Sequence, residues 1–136
     1  MKLTIILAIL TKSVYSFPNG APESVCFTLT PGHGSPPQEM PSQVTIQVET
    51  NVVIRGDSIQ ITISSPKEFR GFLIQPRTVV QPPQAFGTFE ENAQVKTLNC
   101  LGRLQNTATH TVSTPRFNQT VTWNSGDDFL GAIRFQ

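Results

Sequence analysis

Charge is scarce in this sequence: 10 Lys and Arg face 9 Asp and Glu, together 14% of 136 residues. So few charges exclude a disordered polyelectrolyte or a charged coiled coil, and a formal net charge of +1 leaves no electrostatic footprint for nucleic acid. Length is modest as well, with room for one ordinary domain and none for a multidomain enzyme. Ala, Leu, Glu and Lys are too few for a helix bundle. Long apolar runs are missing, since Leu3 to Leu10 falls far short of the roughly 20 residues that span a bilayer. What is present in quantity is Thr, Val, Ile, Gln, Phe and Pro, the composition of strands joined by turns.

The beginning of the chain has its own pattern. Lys2, the apolar run Leu3 to Leu10, and then Val14-Tyr15-Ser16 follow the charged, apolar and small-residue order of a secretory signal, predicting residues 1–16 as a leader cut after Ser16. The alternative for this stretch is a buried N-terminal strand. Without Lys2 and Lys12, 8 basic side chains remain against 9 acidic ones, a mature net charge of 8 − 9 = −1, which does not suit a cationic membrane-lysing peptide. Export would place the two cysteines in an oxidising compartment, where Cys26 and Cys100 have only each other to pair with inside the chain. Closing a loop of about 75 residues is worth up to about 4.5 kcal/mol in chain entropy. The competing reading, a nucleophilic or metal-binding cysteine, lacks a CxxC or a neighbouring His.

From Phe17 to Pro41 the sequence reads as an irregular lead-in, punctuated by Pro18, Gly20, Pro22, Pro31, Gly32, Gly34, Pro36, Pro37 and Pro41. Beyond it the period becomes two. Val44, Ile46 and Val48 alternate with polar residues, as do Ile59, Ile61 and Ile63 past the Gly56-Asp57 turn, predicting a hairpin with one face buried. Phe69 to Gln75 reads as an apolar strand stopped by Pro76. Further strands are predicted at Phe86 to Phe89, Val95 to Leu98, Ala108 to Val112, Gln119 to Asn124 and Phe129 to Phe135, with Val121 and Trp123 facing one way. Many short strands without a helix predict an all-β, antiparallel sandwich; a barrel is the alternative. A true immunoglobulin domain keeps its core tryptophan between its cysteines, whereas Trp123 follows both, so the architecture is immunoglobulin-like with a different staple.

Certain residue blocks resemble a known family. Phe17-Pro18-Asn19-Gly20-Ala21-Pro22-Glu23-Ser24-Val25-Cys26 and Thr30-Pro31-Gly32-His33-Gly34 are similar to the opening of reeler domains, especially the small secreted insect defense proteins of noduler type. Gly56-Asp57, Phe69 to Gln75, Gly87-Thr88-Phe89, Leu98-Asn99-Cys100, Thr109-His110-Thr111 and Val121-Thr122-Trp123 follow in the same order. Arg55 departs from the pattern, which more often has proline there. The resemblance implies one immunoglobulin-like β-sandwich over residues 17–136, its C-terminal strand short or incomplete at Gln136. It further implies secretion, no catalysis and no cofactor. The implied role is innate immunity, through binding of microbial cell-wall glycolipid or polysaccharide or of hemocyte surfaces. An adhesion or matrix module of a larger protein is the alternative.

Several candidate sites each have a plainer reading. Arg55-Gly56-Asp57 is an adhesion-type tripeptide at the predicted hairpin tip, or simply the turn that the hairpin needs. Gly56-Asp57-Ser58-Ile59 mimics the nucleophile block of one lipase and esterase class, but Ser58 opens an alternating strand and His110 lies inside another. His33 and His110 are too few for a metal site alone. Glu90-Glu91 and Asp127-Asp128 would have to complete one, yet adjacent carboxylates on a strand point to opposite faces. Asn118-Gln119-Thr120 is a glycosylation sequon, usable if Asn118 faces outward. Arg70, Arg77, Phe86, Arg103 and Arg116 are the basic and aromatic candidates for phosphate or sugar contact, or are scattered surface charge and core.

Overall fold

A computed structural model describes residues 17–30, 32–34, 36, 38–127 and 131–136. The predicted leader over residues 1–16, Pro31, Pro37, Asp128 and the predicted strand start at Phe129 lie outside the described residues. In chain order the strands are β1 (Thr45–Val48), β2 (Ser58–Phe69), β3 (Leu73–Ile74), β4 (Pro76–Thr78), β5 (Thr88–Phe89), β6 (Val95–Cys100), β7 (Arg103–His110), β8 (Arg116–Asn124) and β9 (Ile133–Phe135). A 3-10 turn over Glu23–Val25 is the only helical element among the described residues.

Alternation in β2 and β8 builds the first sheet, ordered β1-β2-β8-β5, with Ile61 opposite Val121 and both Ile59 and Phe89 opposite Trp123. The inward positions of this register are apolar except Gln119, which is 6% exposed opposite Ile63 and accepts from the Arg116 guanidinium. The outward positions Gln60, Thr62, Asn118, Thr120 and Thr122 are uncharged and polar, and Thr62 and Thr120 share a hydroxyl hydrogen bond of 3.1 Å. The second sheet, β3-β7-β6, supplies Ile74, Val95 and Ala108 to the same buried cluster, so the two sheets face one another as a β-sandwich. Trp123 is 1% exposed; its indole N–H donates to the Phe86 carbonyl at 3.0 Å and its ring meets Phe135 edge-on at 5.3 Å. Burying each such side chain contributes about 1.5–3 kcal/mol, which is why the strand pattern outweighs the proline-rich surroundings.

Three strand expectations are corrected. β1 pairs with β2 through Ile46 opposite Ile63, but Val44 and Ile46 are 44% and 41% exposed, because β1 is the edge strand of its sheet and has a neighbour on one side only. Phe69 to Gln75 is not one strand: Phe69 ends β2, the chain crosses between sheets at Arg70–Phe72, and Pro76 opens β4. Pro76 is tolerated at the first position of a two-stranded edge pair with β9, where no central ladder needs its missing N–H. The strand placed at Ala108 to Val112 runs instead from Arg103 to His110, because Leu101 and Gly102, with φ of 54° and 77°, turn β6 tightly into β7.

Candidate functional site

The lead-in is laid across the second sheet by a few strong ties. Cys26 and Cys100 form a disulfide with 5.3 Å between their Cα atoms. Arg77, 9% exposed, donates to the carbonyls of Cys26 and Phe27 at 2.7 Å each and to Gln75 Oε1 at 2.6 Å. Gln75 in turn donates to Thr107 Oγ1 at 2.7 Å, so a buried polar chain links β7 to the lead-in. Burial pushes the Arg77 pKa below the ordinary arginine value, and the carbonyls and Gln75 supply the acceptors its charge needs. Nearer the start of the lead-in, the Ala21 N–H donates to Thr109 Oγ1 at 3.1 Å, and that hydroxyl donates to the Phe72 carbonyl at 2.6 Å.

His110 completes the anchoring. It is 7% exposed; Nε2 lies 3.1 Å from the Phe17 carbonyl and Nδ1 lies 3.2 Å from the Phe72 N–H. One neutral tautomer, with the proton on Nε2, satisfies both contacts. Gly71 lies against the same ring, where a Cβ would come within 2.6 Å of it. Residue 71 therefore has to be glycine for the crossover to pack on His110.

Between the lead-in and the crossover lies a cleft of about 550 Å³. Phe17, Ala21, Pro22, Val25 and Leu29 form one wall, Phe72, Leu73 and His110 form the other, and Arg70 and His33 stand among the lining residues. No Asp or Glu among the described residues lines it. Arg70 is exposed and makes no hydrogen bond or ion pair with any described residue. His33 is exposed beside the Phe17 ring, 6.4 Å between centroids. The arrangement is a mainly apolar slot with Arg70, His33 and Ser113 as polar members of its lining, suited to holding a ligand.

The residues singled out in the sequence are dispersed. Arg55-Gly56-Asp57 ends the long connection between β1 and β2; Arg55 and Gly56 are exposed. The Asp57 carboxylate folds back to accept the Ile54 N–H at 3.0 Å, and the Gly56 N–H donates to the Gly126 carbonyl at 3.1 Å. Ser58 pairs with Asn124 at one end of β2, whereas His110 touches the crossover beyond the other end, so the two lie apart by the length of that strand. Asn118 is exposed on the outer face of β8, opposite Ser64.

Most of the basic candidates serve the scaffold. Arg77 is buried, Arg103 stacks on the buried Phe86 with its guanidinium carbon 4.1 Å from the ring centroid, and Arg116 binds the carbonyls of Thr114 and Val112 and the Gln119 side chain. Among the five, only Arg70 lines the cleft. Glu90 accepts from Asn124 Nδ2, and Glu91 accepts from both Thr97 Oγ1 and the Thr97 N–H, which hold its pKa below the usual carboxylate value. No group of three or more His, Cys, Asp or Glu able to hold a metal occurs among the described residues. Nothing in the sequence marked Phe17, Val25, Leu29 and Phe72 as lining one cavity.

Residues 24–136 match the sequence model of the family described as Reeler domain. The chain is 34% identical over 123 residues to "Putative defense protein 3" of Antheraea mylitta, covering 88% of this chain and 74% of that protein. It is 32% identical over 138 residues to "Putative defense protein Hdd11" of Hyphantria cunea, covering 97% and 83%. Against "Putative ferric-chelate reductase 1 homolog" of Drosophila melanogaster the identity is 29% over 145 residues, 97% of this chain but 22% of that longer protein. Among solved structures, the human F-spondin reeler domain is similar in fold, with a TM-score of 0.60 at 19% identity over 73% of this chain and 76% of that one.

Proposed function

The chain belongs to the reeler family, and from that premise we propose that it is a secreted innate-immune protein that binds microbial surface components or immune cells without catalysis. In this reading residues 1–16 are the leader and 17–136 the working domain, released into an oxidising compartment that maintains the Cys26–Cys100 bond. The observation that carries the reading is the cleft: a mainly apolar slot lined by Arg70, which bonds no described residue, in a chain that spans 74% of a relative named for defense. The ligands in view are cell-wall glycolipid, which the cleft would take by an acyl chain, and polysaccharide, which would bind outside it. No helix among the described residues is long and apolar enough to cross a membrane.

The test is a pull-down of the purified mature protein on lipopolysaccharide, lipoteichoic acid and β-glucan, with hemocytes as a further target. Enrichment on at least one supports recognition; none on any of them ends it. A second reading, an extracellular adhesion module within a larger protein, is favoured by the reductase relative, in which the matched stretch is 22% of the length. The exposed Arg55 and Gly56 belong to that reading. Unchanged cell attachment by Asp57→Glu, with folding intact, would remove the tripeptide from it.

A further inference from the structure

We propose that the cleft between the lead-in and the β2–β3 crossover accepts one acyl chain carrying a single anionic headgroup, with Arg70 as the headgroup's partner. The proposal deepens the recognition reading and rests on its use of the cleft as a binding site. Size is the first argument: about 550 Å³ lies within the roughly 300–1,000 Å³ of small-molecule sites and has room for one acyl chain of a lipid. Wall chemistry is the second. Phe17, Val25, Leu29 and Phe72 offer no polar atom from their side chains, His110 has both ring nitrogens committed to Phe72 and Phe17, and the remaining polar side chains of the lining are those of Arg70, His33 and Ser113. A sugar placed there would leave its hydroxyls unpaired against these walls, which is costly, whereas a hydrocarbon chain loses nothing. Charge is the third argument. Arg70 has no hydrogen-bond or ion-pair partner among the described residues, none of their carboxylates lines the cleft, and a guanidinium pairs with a carboxylate or a phosphate through two parallel hydrogen bonds.

The experiment uses the purified mature chain and a dansyl-labelled undecanoate as fluorescent probe, below its aggregation concentration. Displacement by hexadecanoate, hexadecanol and a single-chain lysophosphatidate then reads headgroup preference. One saturable site per chain is expected, with the carboxylate about tenfold tighter than the alcohol. Arg70→Gln should bring the carboxylate down to the alcohol's level with an unchanged melting temperature, since Arg70 is exposed and bonds no described residue. Val25→Trp should fill the slot and remove both. Preferential displacement by the lysophosphatidate identifies a phospholipid source, and by hexadecanoate a free fatty acid. No saturable binding, or equal affinity for acid and alcohol, overturns the proposal, as does an unchanged preference in Arg70→Gln, which holds even if Val25→Trp fails to fold. Probe binding without capture of microbial material would leave the cleft standing and end the recognition reading. Capture without probe binding would do the reverse.

Discussion

Between the sheets, Ile59, Ile61, Val121 and Trp123 are no more than 4% exposed and interlock with Ile74, Val95 and Ala108 from the facing layer. The lead-in buries far less. Its small cluster of Cys26, Leu98 and Cys100 is held by a disulfide, by Arg77 reaching the Cys26 and Phe27 carbonyls, and by His110 reaching Phe17. Stability in the first region is spread over many side chains, whereas in the second it hangs on a few point ties. The cleft lies between them, so its shape depends on the weaker region while its floor belongs to the stronger one. A ligand site built this way can open locally without unfolding the sandwich.

The largest effect expected is from Trp123→Ala, which removes the most deeply buried aromatic and its bond to Phe86; denaturant unfolding should show a loss of about 3–5 kcal/mol. A loss well under that would mean the core is less interlocked than its burial indicates. Next is the paired change Cys26→Ser with Cys100→Ser, expected to cost about 2–4 kcal/mol. Hydrogen exchange should then speed up at Gly20 to Leu29 while the amides of β2 and β8 keep their protection; equal acceleration in both would break the contrast between the regions. Arg77→Met leaves two lead-in carbonyls without their donor and should cost about 1.5–3 kcal/mol, with the same uneven pattern of exchange.

The smallest effect belongs to Glu91, on the sheet side. Its folded pKa is lowered by the Thr97 hydroxyl first and the Thr97 N–H second, so its contribution is complete above the ordinary carboxylate pKa and is lost as pH falls through the lowered one. An NMR titration should show its midpoint below that of a free glutamate, and Thr97→Val should move it back up. Lead-in resonances should not respond to either change.

The buried face of the sandwich was legible in particular residues. Ile59, Ile61 and Ile63 alternate with polar neighbours, as do Val121 and Trp123, and alternation at a period of two is a local property that survives folding. The family resemblance also held over most of the chain. Val44 and Ile46 carry the same pattern yet stay exposed, because burial needs neighbours that no local pattern encodes. Arg77 looked like surface charge for the same reason, since its acceptors, Cys26 and Phe27, come from the far side of the disulfide.

By itself, then, the sequence determined the strand class, the inward faces of β2 and β8 and the family, since these follow from short-range periodicity and from ordered motifs. Tertiary structure alone decided that the crossover at Gly71 would press on His110, that Arg77 would be a tie and Arg70 an exposed cation lining the cleft, and that Phe17 and Phe72 would share that cleft. Those outcomes join residues dozens of positions apart. Only the closing of the lead-in onto the second sheet sets which side chains meet.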